Sequence, residues 1–98
     1  MSEQEMLRCT FMRTGTSKSV YFKANELPTD PALRDKVILA ALGSPDIRQI
    51  DGMGGGDVST SKVAIISRSD REDADVDYTF GQVSLHAPFI DYSGNCGN

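Results

Sequence analysis

Ser61-Lys62-Val63-Ala64-Ile65-Ile66-Ser67, then a charged stretch from Arg68 to Asp75, then Val76-Asp77-Tyr78-Thr79-Phe80-Gly81-Gln82-Val83-Ser84-Leu85, is the part of the chain that decides its fold class. The first run is rich in β-branched residues and the last alternates in polarity. Two strands joined by a short polar connection pair most simply as an antiparallel hairpin. Upstream, Leu7-Arg8-Cys9-Thr10-Phe11-Met12-Arg13 and Ser19-Val20-Tyr21-Phe22-Lys23 read as two further strands, with Thr14-Gly15-Thr16-Ser17-Lys18 as a hairpin-like turn between them.

Between the two pairs lies one helical pattern. Asp30 before Pro31 supplies an N-cap and a proline at the first helical position, and Leu33, Val37, Ala40 and Ala41 fall on one face. Gly43, followed by Pro45, ends it. Strands with one early helix predict an α+β arrangement around a mainly antiparallel sheet. No repeat, low-complexity tract or interdomain linker interrupts the chain.

With 98 residues, 39% of them hydrophobic, the chain can hold one core at most. Its formal charge of −4, with Lys and Arg scattered, gives no footprint for nucleic acid. No apolar run approaches the roughly 20 residues of a membrane span, and Met1 to Glu5 is polar and acidic, so the expectation is a cytoplasmic protein. Cys9 and Cys96 stand apart without a Cys-x-x-Cys or Cys/His cluster, and His86 is the single histidine, which leaves no sequence pattern for a metal cage. Cys9, in an alternating strand, reads as a small core residue, and His86 as a surface or strand-edge residue.

Four features could carry chemistry, each with an ordinary alternative. Lys62 opens a strand; strand-edge lysines usually point into water, yet Val63-Ala64-Ile65-Ile66 places this one beside a dry interior, where an amine could serve as a base. Four glycines in the five positions from Gly52 to Gly56 suit either a solvated connector or a set of N–H donors, Gly54 and Gly55 among them, for an anion. The stretch lacks the P-loop pattern. Thr16, Ser17 and Lys18 are turn formers or donors to a carboxylate. Ser93-Gly94-Asn95-Cys96-Gly97-Asn98 sets a thiol at a glycine-flanked junction where a helix would begin, so that N–H groups and a helix dipole could stabilise a thiolate and an oxyanion together.

Phe11-Met12-Arg13-Thr14-Gly15-Thr16-Ser17-Lys18, Gln49-Ile50-Asp51-Gly52-Met53-Gly54-Gly55, Thr60-Ser61-Lys62-Val63-Ala64-Ile65 and Gly94-Asn95-Cys96-Gly97-Asn98 resemble, in order, the successive motifs of the PrpF family. That family includes 2-methylaconitate cis-trans isomerases, aconitate isomerases and 4-oxalomesaconate tautomerases, and is similar in fold to diaminopimelate epimerase: two related domains, each a sheet wrapped around a central helix, with the site in the cleft between them. The resemblance implies that residues 1–98 are the incomplete N-terminal domain of a two-domain isomerase, inactive without its C-terminal domain. It implies a cofactor-independent shift of an allylic proton in an unsaturated di- or tricarboxylic acid. Lys62 and Cys96 match the acid/base pair, and Thr16, Ser17, Lys18, Gly54, Gly55, Ser61, Asn95, Gly97 and Asn98 match positions that would hold the substrate.

Two other readings stay open: an amino-acid epimerase or racemase of the same superfamily, which normally uses two facing cysteines, and a non-catalytic anion-binding fragment. The chain also departs from the family's Arg-Gly-Gly-Thr-Ser-Lys-Gly at the first motif, with Thr14 and Ser19 in place of glycines. A positive φ at either would strain the turn.

Overall fold

A computed structural model describes residues 7–13, 15 and 17–94. Five strands make one sheet in chain order: β1 (Thr10–Arg13), β2 (Lys18–Lys23), β3 (Lys62–Arg68), β4 (Val76–Val83) and β5 (Ile90–Asp91). Three of the four pairings are antiparallel. The exception is β2 with β3, parallel because α1 (Pro31–Leu42) carries the chain back between them. The predicted α+β class and both hairpins are therefore present. The two-residue strand β5 has no counterpart in the sequence reading, since a run of two carries no periodicity.

The pleat sorts the side chains. Val20 faces Val63 and Phe22 faces Ile65 across the parallel pair, and these four form one buried cluster with Ile38, Leu39 and Leu42 of α1 and with Val83 and Ile90. Val20, Phe22, Ile38, Leu42, Val63 and Val83 are essentially inaccessible. Burying each such side chain stabilises the fold by about 1.5–3 kcal/mol relative to exposure. The intervening pairs, Tyr21 with Ala64 and Ala64 with Phe80, lie on the opposite face of the sheet.

The helix differs from expectation in which stripe it buries. Val37 and Ala41 are partly covered, but Leu33 and Ala40 are exposed, and Ile38, Leu39 and Leu42 do the filling. All three lie in the C-terminal half, which packs on the sheet; Leu33 lies beyond that contact. Asp30 does occupy the N-cap position, and its carbonyl accepts from Arg34 N at 2.8 Å, but its carboxylate makes no capping bond. The C-terminus closes as expected: Gly43 is left-handed at φ 86°, with Gly43 N and Ser44 N both donating to Leu39 O, at 2.9 and 3.0 Å.

Upstream, one expectation is corrected and one condition is resolved. Cys9 is exposed rather than in the core: it precedes the edge strand β1, all four residues of which are exposed. Ser19 pairs with Met12 in extended strand geometry, so no strain attaches to the serine there. Thr14 lies outside the described residues.

Candidate functional site

Lys62 lies on the face of the sheet away from α1. Tyr21 and Ala64 share that face, and with a period of two so do Ser19 and Lys62. Lys62 Nζ donates to Ser17 Oγ at 2.8 Å, and lies 5.8 Å from the centroid of the Phe80 ring. A cation over an aromatic face is attracted by the ring quadrupole, by about 0.5–1 kcal/mol where partly exposed. Ser17 and Ser19 are buried, Ala64 is fully inaccessible, and Phe80 is nearly so. The amine is therefore half-buried, held by a hydroxyl from the turn before β2 and a ring from β4, rather than loose in water.

The downstream end arrives at the same place. Beyond β5, Gly94 comes close enough to Phe80 that a Cβ on Gly94 would sit 3.8 Å from the ring edge. One aromatic ring thus touches both the lysine and the segment that leads into the cysteine motif. Asn95, Cys96, Gly97 and Asn98, and Thr16 upstream, lie outside the described residues.

Other candidates are not brought to Lys62. Lys18 follows Ser17 by one residue and so projects to the opposite face, with Nζ 4.8 Å from the Phe11 ring. The glycine loop is committed to the fold. Met53 N and Gly54 N donate to Ala41 O and Leu42 O, at 2.8 and 3.0 Å, supplying partners to the last carbonyls of α1. Gly55 N is directed to Thr60 O at 3.4 Å and Gly56 N to Gln49 Oε1 at 2.9 Å, so these amides serve the loop itself rather than an open anion nest. Gly52 lies so close to the helix end that a Cβ there would be 2.2 Å from Gly43 N. Close packing explains these glycines. Ser61 is fully buried, with Oγ donating to Val83 O at 3.0 Å.

Sequence reasoning missed Phe80 and Gln49. Phe80 sits in an alternating strand, where nothing marks one position above the next. Gln49 is fully buried, and the glycines beside it drew attention away from its amide. A hollow of about 470 Å³, lined by Lys23, Ile66, Arg68 and Val76 among others, lies at the far end of β3 from Lys62. Among the described residues no group of three or more His, Cys, Asp or Glu is placed to hold a metal ion, and no helix is long and apolar enough to cross a membrane.

The described residues thus place a half-buried lysine on one face of the sheet of an α+β scaffold, bonded to a serine and beside the ring that Gly94 approaches. The chain belongs to the PrpF family: the family model, described as PrpF protein, matches residues 4–98. It is 59% identical over 98 residues to the 3-methylitaconate isomerase of Eubacterium barkeri, covering all of this chain and 26% of that protein. It is 57% identical over 95 residues to the 4-oxalomesaconate tautomerase of Pseudomonas putida, covering 97% of this chain and 26% of that protein. To the 2-methyl-aconitate isomerase of Shewanella oneidensis it is 52% identical over 102 residues, covering 97% of this chain and 25% of that protein. A crystal structure of methylitaconate-delta-isomerase superposes with a TM-score of 0.95 at 59% identity, covering 99% of this chain and 43% of that one. The chain thus spans about a quarter of the length of these curated relatives.

Proposed function

We propose that this chain supplies the lysine half of the acid/base pair in a cofactor-independent isomerase, one that shifts an allylic proton in an unsaturated di- or tricarboxylic acid. The substrate class is that named for the relatives: methylitaconate, oxalomesaconate or methylaconitate. The chain is then the opening part of the first of two domains, and the acid binds where this sheet face meets the remainder. The observation that carries the reading is the placement of Lys62 Nζ, bonded to Ser17 and over the ring that Gly94 also approaches.

The chemistry needs few groups. A base takes the proton from the carbon next to a C=C bond and a carboxylate; the electron pair left behind delocalises as a dienolate. Donors already in place must meet that charge, because the substrate carries two or three negative charges before reaction starts. An acid then returns a proton at the far carbon of the allyl unit, or at the same carbon after rotation, and the double bond settles in its new position. In the base role the neutral amine of Lys62 accepts the proton and becomes an ammonium, which Ser17 Oγ and the Phe80 face are placed to hold. In this scheme Cys96, two residues beyond Gly94, is the second acid/base, and the N–H groups of Asn95, Gly97 and Asn98 meet the oxyanion. Thr16 and Ser17 contribute hydroxyls to a substrate carboxylate.

The test uses this chain joined to the remaining three quarters of the Eubacterium barkeri relative. Incubated in D₂O with methylitaconate or an aconitate, the completed protein is expected to exchange allylic protons, read by NMR, and Lys62→Met to slow that exchange at least about 100-fold. Full-rate exchange by Lys62→Met, or exchange at the α-carbon of amino acids in place of the unsaturated acids, would overturn the reading.

A further inference from the structure

The largest fully buried polar side chain among the described residues does not belong to the face that carries Lys62. Gln49 lies between α1 and β3 and is about 1% exposed. Among the described residues it is the only non-glycine with a positive φ, at 50°. A glutamine in that region is uncommon, and such geometry persists only where the surroundings impose it. Here its amide is fully used: Nε2 donates to Ser61 Oγ at 2.8 Å and to Ser44 Oγ at 3.1 Å, and Oε1 accepts from Gly56 N at 2.9 Å.

Ser61 is the residue just before Lys62, and it is held from several directions. Its hydroxyl accepts from Gln49 and donates to Val83 O at 3.0 Å, while its carbonyl accepts from Val83 N and from Gln82 Nε2, both at 2.9 Å. Adjacent side chains in a strand point to opposite faces. Fixing the Ser61 side chain inside therefore fixes the departure of Lys62 on the other face, toward Ser17 and Phe80. The glycine loop makes room for the clamp: a Cβ on Gly54 would lie 2.0 Å from Gln49 Oε1.

We propose that Gln49 is a positioning residue for Lys62: its buried amide ties the glycine loop to Ser61 and thereby sets where the lysine amine stands. The proposal rests on the reading of Lys62 as an acid/base group for its functional meaning, but the geometric claim can be tested without turnover. Gln49 never reaches the amine itself; it acts through Ser61.

The experiment is competitive acetylation of the chain with trace acetic anhydride, followed by peptide mass spectrometry, with Lys36 of the exposed helix surface as internal reference. Ser61→Ala and Gln49→Met are expected to raise Lys62 labelling relative to Lys36 by about three- to tenfold, the equivalent of one lost hydrogen bond. Ser44→Ala, which leaves the Gln49–Ser61 bond in place, is expected to lower thermal stability while leaving that ratio unchanged. In the completed protein Ser61→Ala should lower kcat about tenfold with KM within about twofold, the pattern of a lost positioning effect rather than lost binding. Should both Ser61→Ala and Gln49→Met fold with an unaltered labelling ratio, or should Ser44→Ala change it as much as they do, the proposal fails. That failure is distinct from an active Lys62→Met protein, which would remove the function and leave the clamp.

Discussion

Lys62 Nζ and Ser17 Oγ stand 2.8 Å apart although 45 positions separate them in the chain. The parallel pairing of β2 with β3 is what brings them together: Val20 aligned with Val63 leaves the start of β3 beside the turn that precedes β2. Since Oγ accepts from the amine, its own hydrogen remains to be donated. In the completed protein Ser17→Ala should reduce kcat/KM about tenfold, and Lys62→Met at least about 100-fold. Steady-state kinetics on both variants checks the order; equal losses would mean that the serine does more than orient the amine.

The glycine loop predicts a graded series in stability. Gly52→Ala places a methyl 2.2 Å from backbone at Gly43, where nothing flexible can yield, and should destabilise by roughly 3 kcal/mol or more. Gly54→Ala meets the end of the Gln49 side chain, which can move only by giving up its hydrogen bonds, so about 1–3 kcal/mol is expected. Gly94→Ala finds its nearest atom among the described residues at 3.8 Å and should lie within about 0.5 kcal/mol of the parent. Urea midpoints at constant m-value measure all three.

Alkaline stability should depend on Tyr92. Its hydroxyl donates to Asp35 Oδ1 at 2.5 Å, and burial, then that bond and the charge of Asp35, push its ionisation upward from the usual tyrosine value. A group whose folded value is raised adds stability that is complete below the unfolded value, about 10, and is lost as pH climbs toward the folded one. Melting temperature should therefore fall as pH rises above about 10, and Tyr92→Phe should flatten that fall while costing about 1 kcal/mol at neutral pH. An identical pH slope in the variant would rule out the contribution.

At the acid end the sign reverses. The Asp57 carboxylate accepts from the backbone N–H and then the hydroxyl of Ser59, both at 2.9 Å, and these bonds hold its ionisation below the usual aspartate value. Asp91 is lowered in the same sense by the hydroxyl and N–H of Ser93. A depressed folded value contributes above the unfolded one and is lost as pH drops through the folded one, so stability should decline below about pH 4. Asp57→Asn should make the decline shallower in an acid titration of the melting temperature; an unchanged profile would assign the acid loss elsewhere.

Much of this protein could be read along the chain because the deciding signals are local. The alternation in Val76 to Val83, the β-branched run after Lys62 and the Asp-Pro to Gly-Pro frame around the helix each concern neighbours within a few residues, and periodicity and caps act at that range. Family membership was legible for a related reason: four short motifs in fixed order are a property of the sequence itself.

The tertiary structure alone decided which of those residues meet. No local rule separates Ser17 from Lys18, yet the pleat sends the first to Lys62 and the second to the other face, over Phe11. The glycines looked equally apt for an anion or a solvated link, and packing against the end of α1 and around Gln49 gave them a third role. Phe80 joined the site, and Leu33 left the core, through strand register and helix placement over the sheet. Contacts between residues far apart in sequence depend on how elements stack, and that is set by the sum of burial over the whole domain rather than by the preference of any one segment.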